Sequence, residues 1–309
     1  MNSSVIILMI LSVIRLSAPV FIAGVGNMFC ERVGILNLGT EGMMVSGAFG
    51  AVLGSSLSGN PWVGVLCGIF GGGLAAAIYG IICVEFGGTQ AIAGLGLNMF
   101  CLGFTTFLCS AIFKSNISPN VANLNHSELL SGIPVLGSFL GQLSPLIFLM
   151  ILVAAIAYMI IFKTSLGLRM RSVGDDPKAV ETAGIDVWKV KYLGVLLCGI
   201  ICGFAGAYMS LGQLDRFVMG MTNGKGMLAV IAVKMGRWNP LGIMGTALLL
   251  GVFDVIQLQL QLNHAVTVPP ELVQTIPFIA GIVVLSFQQS GDERPSSLEK
   301  PYLKNKYKF

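Results

Sequence analysis

Residues 145–162 read Pro-Leu-Ile-Phe-Leu-Met-Ile-Leu-Val-Ala-Ala-Ile-Ala-Tyr-Met-Ile-Ile-Phe, without one charged side chain. About 20 such residues is the length an α-helix needs to cross the hydrocarbon core of a bilayer. The pattern recurs along the chain. Apolar runs near 5–29, 41–57, 61–84, 89–113, 144–162, 192–211, 239–259 and 272–288 each read as a span, and a shorter run, 226–236, reads as a half-helix or re-entrant segment. The expected fold is an all-α polytopic membrane protein with eight or nine transmembrane helices.

Composition excludes the soluble alternatives. Only 10% of the 309 residues are charged against 55% hydrophobic, a balance that would leave a water-soluble globule with large exposed apolar patches. The net charge of +4 is no sign of nucleic-acid binding, because the basic residues flank the apolar runs instead of clustering on one face. Seven cysteines lie in apolar stretches without C-x-x-C spacing and read as small buried hydrophobes. The N-terminus lacks the basic region and cleavage site of a signal peptide, so it is read as a mature span.

Lysine and arginine set the expected orientation. The stretch 163–191 carries six of them and the tail after 289 carries five, so both are placed in the cytoplasm. The stretches 114–143, with Lys114 alone, and 260–271, with none, are placed outside. The sides alternate if 226–236 crosses; the N-terminus is then external, although Arg15 interrupts the first apolar run. Gly50/Gly54, Gly68/Gly72 and Gly199/Gly203 form G-x-x-x-G pairs that let helix backbones approach closely, within one subunit or at a dimer seam. Gly42-Met-Met followed by Asn60-Pro61 is echoed by Gly226-Met-Leu followed by Asn239-Pro240, with the two Asn-Pro steps on opposite sides. That is the pattern of an inverted repeat, which transporters use to frame a midplane site. Chance similarity between glycine-rich helices is the other reading.

The cytoplasmic stretch contains a deliberately bounded short helix. Asp176 is a good N-cap, Pro177 fits the first helical position, Lys178, Ala179, Val180, Glu181, Thr182 and Ala183 favour helix, and Gly184 ends it. Together with Gly174 and Asp175 this makes a rigid, solvent-facing element of about two turns, suited to a cleft on another protein. Its apolar face, only Ala and Val, is too small for a lipid-surface helix.

Polar residues at membrane depth are few. Glu41, Gln90, Asn98, Gln213, Asp215, Asn223, Lys225, Lys234, Asp254 and Gln257 read either as the lining of a substrate pathway or as interhelical hydrogen bonds and caps of interrupted helices. The nearest approach to a nucleotide-binding loop, residues 220–226, has one residue too few between its glycines and a glycine where Ser or Thr would hold Mg²⁺. ATP hydrolysis, if used, belongs to a partner. His126 and His264 lie in expected external loops without metal-ligand spacing, so no metal or catalytic site is expected.

Three runs carry a family resemblance: Glu31-Arg-Val-Gly-Ile-Leu-Asn-Leu-Gly-Thr-Glu-Gly-Met43, Val173-Gly-Asp-Asp-Pro-Lys-Ala-Val-Glu-Thr-Ala-Gly-Ile185 and Gly236-Arg-Trp-Asn-Pro-Leu-Gly242, supported by Ala205–Gln213. They resemble membrane permease subunits of bacterial ABC importers for simple sugars, nucleosides and branched-chain amino acids, most closely the nucleoside permeases. Lys234 departs from the family pattern, in which an apolar residue precedes Gly-Arg-Trp. The resemblance implies a multi-pass subunit of the bacterial plasma membrane, with a permease domain over 1–288, a coupling loop at 163–191 and a basic cytoplasmic tail at 289–309. It implies two cytoplasmic ATP-binding subunits holding ATP and Mg²⁺, a second and different permease, an external lipid-anchored binding protein, and no cofactor on this chain. Residues 173–185 then correspond to the helix that docks on the ATPase. A nucleoside, with an apolar base face and ribose hydroxyls, calls for aromatic and amide or carboxylate groups. Glu41, Asn98, Phe100, Phe104, Phe253 and Asp254 are the expected lining. A simple-sugar or branched-chain amino acid permease, and an ion-coupled secondary transporter using Asp254 or Glu41, are the alternatives.

Overall fold

The computed structural model describes residues 3–124, 143–262, 269–287 and 294–302. In chain order the helices are α1 (Ser3–Arg32), α2 (Thr40–Ser58), α3 (Pro61–Gly80), α4 (Gln90–Phe113), α5 (Pro145–Lys163) and α6 (Ser165–Asp175). They continue as α7 (Pro177–Thr182), α8 (Val187–Ala207), α9 (Lys225–Met235), α10 (Pro240–Leu262), α11 (Pro270–Val273) and α12 (Ile276–Phe287). π-Helical turns, Ile81–Glu85 and Tyr208–Leu214, prolong α3 and α8. Among the described residues α1, α3, α4, α5, α8 and α10 have the length and hydropathy of membrane spans.

The remaining segments depart from the expected spans for identifiable reasons. α2 is long enough to cross, but Gly, Ser, Thr and Glu dilute its apolar content, and it is enclosed by protein between α3 and α8. The 11 residues of α9 rise about 16 Å, half a bilayer, so the run 226–236 is a half-helix. The run 272–288 is no single span: it breaks at Gln274–Thr275, where Pro277 has no N–H to continue the ladder, leaving α12 with 12 residues. α8 begins at Val187, not 192, because Asp186 caps it through the N–H groups of Trp188 and Lys189 at 3.1 and 3.4 Å; the basic residues of this first turn hide it from a hydropathy reading. α6 was not expected as a helix. Thr164 starts it, accepting from Gly167 N at 3.2 Å.

The G-x-x-x-G glycines form the centre of the bundle within one chain. A Cβ on Gly203 would sit 2.5 Å from the Gly68 carbonyl oxygen, on Gly72 2.4 Å from that of Gly199, and on Gly47 2.4 Å from that of Gly203. Backbones of α2, α3 and α8 therefore touch, and dispersion between them replaces the hydrophobic drive that lipid cannot supply. Six of the seven cysteines are buried and none is disulfide-bonded.

The two Asn-Pro steps of the internal echo build one device twice. Asn60 accepts from Trp62 N at 2.9 Å and Asn239 from Leu241 N at 3.1 Å, each capping a helix that starts with proline. α2 ends beside the loop after α4, with Ser55 Oγ donating to the Ala122 carbonyl, while α9 ends against the last turn of α1 through Trp238. The repeats thus run in opposite directions. The described part of the tail, 294–302, packs on the end of α6, so the two basic segments share one side of the molecule.

Gly203→Ala should cost about 1–3 kcal/mol by forcing the three backbones apart. Gly103→Ala on α4, where a Cβ meets nothing within 4 Å, should cost nothing. Thermal unfolding of the two variants in detergent checks the contrast; equal melting temperatures would show that the glycine contact carries no weight.

Candidate functional site

Between α1 and α2 the chain leaves helical geometry while still inside protein: Val33 to Gly39 are buried apart from half-buried Leu38. Non-helical backbone is tolerated at such depth only when its polar groups find partners within the protein. Leu36 N donates to Gln90 Oε1 at 2.8 Å, the Leu36 carbonyl accepts from Tyr79 Oη, Gly39 N donates to Asn37 Oδ1 at 2.8 Å and the Leu38 carbonyl accepts from Asn98 Nδ2 at 2.8 Å. Asn98 Oδ1 then takes the Gly42 N–H at 2.7 Å, so this one amide spans the break and the start of α2.

The second half mirrors this break from the opposite side. After Leu214 the chain turns inward through residues with positive φ, Asp215, Gly220, Asn223 and Gly224. Residues 215–219 pair with the loop after α4: Ser118 N donates to the Phe217 carbonyl at 3.0 Å and Val121 N to that of Asp215 at 3.0 Å. The break delivers the N-terminus of α9 to the N-terminus of α2. There the Glu41 carboxylate accepts from Gly224 N at 3.0 Å and from Gly226 N at 2.6 Å. A helix N-terminus carries partial positive charge and unpaired N–H groups, so a carboxylate is its natural cap. A Cβ on Gly226 would lie 2.5 Å from Glu41 N, which is why the two starts can meet at all.

Beside this contact lies a largely buried ion pair. Lys225 Nζ is 3.7 Å from Asp254 Oδ2, with side chains 15% and 12% exposed, and it also donates to the Leu16 carbonyl at 3.2 Å. Pro19 explains the neighbouring carbonyl: it has no N–H for Arg15 O. Gln213 Nε2 and Tyr208 Oη supply the missing donors at 2.6 and 3.2 Å.

Three cavities surround these groups. One of about 270 Å³ has Glu41 and Asn98 in its wall together with Val45, Met99, Thr222 and Asn223. A second, about 120 Å³, is lined by Asn223, Lys225, Asp254, Gln257 and Gln274 against Leu228 and Phe278. A third, about 400 Å³, lies beside Arg15 and Gln213. Asn223 belongs to the first two. The expected lining residues are thus split: Glu41 and Asn98 share one cavity, Asp254 lines the next, and Phe100, Phe104 and Phe253 line none of the three. Phe100 and Phe104 stack on each other at 5.5 Å on the outer surface of α4. Phe253 is half-buried on α10.

At the basic end, two motifs lock together. Glu31, fully buried, accepts from Trp238 Nε1 at 2.7 Å and from Asn27 Nδ2 at 3.2 Å, and Arg32 donates to the Trp238 carbonyl at 3.0 Å. Neither Glu31 nor Trp238 was singled out from sequence, nor was the partnership of Lys225 with Asp254. Opposite charges at membrane depth usually pair, and that rule applied to Lys225 and Asp254 was the available signal.

The short helix α7 forms as its residues dictate. Asp176 accepts from Lys178 N at 3.0 Å and Ala179 N at 3.2 Å, Pro177 stands first, and Gly184 takes φ +82° just beyond. Asp175, Asp176, Lys178, Ala179, Glu181, Ala183 and Gly184 are exposed, and Gly174 is buried. Only Val180 turns inward, onto Val173 and Val187. Val180 is its one buried side chain, and most of its surface is presented outward.

A bundle in which two opposed units meet at capped half-helices, with polar cavities at the junction, is the build of a transporter's membrane subunit. The chain belongs to the family described as branched-chain amino acid transport system / permease component, whose pattern matches residues 9–285. The nucleoside ABC transporter permease protein NupC of Lactococcus lactis is 33% identical, with 94% of this chain and 95% of that protein covered. The guanosine ABC transporter permease protein NupQ of Bacillus subtilis is 32% identical over 94% of each chain. A putative glucose ABC transporter permease protein of Haloferax volcanii, TsgC13, is 31% identical over 89% of each. Among solved structures, an inward-facing putative metal-chelate type ABC transporter shares the fold, with a TM-score of 0.52 and 15% identity over 90% of this chain and 85% of that one.

Trp238→Phe removes the indole donor from Glu31 and leaves a buried carboxylate short of a partner, which should cost about 1–3 kcal/mol. Unfolding of the purified variant reads the loss; an unchanged midpoint would mean that the latch between α1 and the α9–α10 turn is not energetic.

Proposed function

We propose that the chain is the membrane subunit of an ATP-driven importer and forms the pathway by which nucleosides cross a bacterial plasma membrane. The observation that carries this reading is the similarity to NupC and NupQ across 94% of the chain. The capped, exposed α7 supports it, because a secondary transporter has no need of a rigid cytoplasmic docking element. On this reading ATP and Mg²⁺ are held by two cytoplasmic subunits onto which α7 docks. A second permease of different sequence completes the pathway, and an external lipid-anchored protein delivers the substrate. This chain carries no cofactor. The resemblance to TsgC13 favours a second reading, a sugar as substrate.

Transport in this account is alternating access: movement of α7 with the ATPases rocks the opposed units about their junction. The cavity at Lys225 and Asp254 is the proposed recognition site. A carboxylate beside an ammonium complements the adjacent donors and acceptors on a nucleobase edge, and the amides of Asn223, Gln257 and Gln274 suit hydroxyls. Glu41 and Asn98 hold the junction, their polar atoms already taken by backbone, and contribute wall more than recognition.

Uptake of labelled guanosine, uridine, ribose, glucose and leucine, in cells with and without the chain, tests the reading. Nucleoside uptake that requires the chain and survives a proton uncoupler at preserved ATP is expected. Uptake that collapses with the proton gradient would overturn it in favour of ion coupling, and chain-dependent uptake of glucose or ribose alone would move the substrate to sugars.

Breaking the pair one partner at a time, with Asp254→Ala or Lys225→Ala, should destabilise the protein by about 3–5 kcal/mol. Lys225→Met with Asp254→Leu should restore most of that stability and still abolish uptake. A double variant that folds and transports normally would remove the pair from recognition.

A further inference from the structure

The described tail, 294–302, is no loose extension. Ser297 N donates to the Gly174 carbonyl at 2.9 Å, and Ser297 Oγ reaches the same oxygen at 2.6 Å. Ser297 and Leu298 are 6% and 4% exposed. Two glycines make room for this seat. A Cβ on Gly34, whose φ is +79°, would lie 2.4 Å from Ser297 Oγ, and one on Gly174 would lie 2.2 Å from the Arg32 carbonyl oxygen and 3.3 Å from Pro295 Cβ. The end of α1, the end of α6 and the tail therefore converge at one point, at Gly34, two residues after Arg32, and at Gly174, three residues before α7 begins.

Four residues on, the tail reaches α7 itself. The Tyr302 ring packs with Val173, Val180 and Val187, the apolar cluster on which α7 is anchored. Lys191 Nζ stands 5.6 Å from the ring centroid, and Tyr302 Oη donates to Glu181 Oε2 on the outward side of the helix. Burial, followed by the neighbouring carboxylate, pushes the Tyr302 hydroxyl up to about 12, so it stays a donor throughout the physiological range. Elsewhere on the tail Arg294 and Glu299 pair at 3.2 Å and are exposed, as are Asp175, Asp176, Lys178 and Glu181 at α7.

We infer that residues 294–302 are a strap that fixes the pose of α7 and forms, with it, one composite docking surface for the ATP-hydrolysing subunit. The surface is charged with both signs, carries almost no exposed apolar area and stands on a rigid base, which suits a polar cleft on a soluble protein and not a lipid surface. Tyr302 acts as a positioning residue through Glu181. The inference rests on the importer reading above, since it names the partner that reading requires.

The test measures the affinity between the purified full-length chain in nanodiscs and candidate ATP-hydrolysing subunits from the same cells. Tyr302→Phe keeps the ring and deletes the hydroxyl; Glu181→Ala deletes the acceptor; Glu181→Gln keeps an acceptor oxygen. Each of the first two should weaken binding by about tenfold, the worth of one charge-assisted hydrogen bond. The double variant should be no weaker than either alone, and Glu181→Gln should bind within about twofold of the parent. Ser297→Ala, which loosens the seat without touching α7, should weaken binding in the same direction. Multiplicative losses in the double variant, or parental binding by Tyr302→Phe, would overturn the strap. Failure of the parent chain itself to bind any ATP-hydrolysing subunit would instead refute the importer reading. Melting temperatures of all variants separate a lost surface from a lost fold.

Discussion

The Glu41 carboxylate is the point at which the two halves of this protein are joined. Two helices with opposite directions begin at one place, each with unpaired N–H groups and a partial positive charge. Left alone, two such ends repel, and their donors would be stranded away from water. Glu41 removes both costs for α9 by accepting from Gly224 and Gly226, while the Asn98 amide takes the Gly42 N–H at the start of α2. Everything around the junction follows from that arrangement. Gly226 has no side chain because Glu41 backbone occupies the space, and both interrupted segments, 33–39 and 215–224, exist to bring the two starts together.

A second fastening sits at the basic end, where Glu31 and Arg32 on α1 hold Trp238 in the turn between α9 and α10. α9 is thereby tied at both ends to the segment 31–41, by Glu41 at its start and by Glu31 just past its finish. The next contact along the same path is Arg32 against Gly174, three residues before Pro177. Short, rigid links thus run from the exposed helix α7 to the junction and to the ion pair Lys225–Asp254, whose lysine is the first residue of α9. Such contiguity is what a device needs if movement of α7 is to alter the cavity beside that pair.

Much of this was legible from residue patterns. The long apolar runs located the helices, Asp176-Pro177 and Gly184 bounded α7, and the two Gly-Met/Asn-Pro echoes marked the opposed units, because each of these is a local instruction written in helix length, caps and φ. What escaped was every feature that depends on residues distant in sequence. Glu41 and Asn98 could be read as lining or as caps until their partners, Gly226 and the Leu38 carbonyl, were in place. Phe100 and Phe104 adjoin Asn98 in sequence but face outward, since neighbours at two and six positions fall on different sides of a helix. The tail read only as basic, because Ser297 and Tyr302 acquire meaning from Gly174 and Glu181, more than 100 residues away. Residues 263–268, with His264, and 125–142, with His126, lie outside the described residues.

Hydrogen–deuterium exchange over residues 220–230, in the parent chain and in Glu41→Ala, tests the junction most directly. The carboxylate-bound amides of Gly224 and Gly226 should exchange slowly in the parent, and loss of Glu41 should accelerate them by at least about tenfold while the glycine-packed helices α2, α3 and α8 stay protected. Equal exchange of the segment in both proteins would contradict the account, because it would mean that Glu41 does not hold the two halves together.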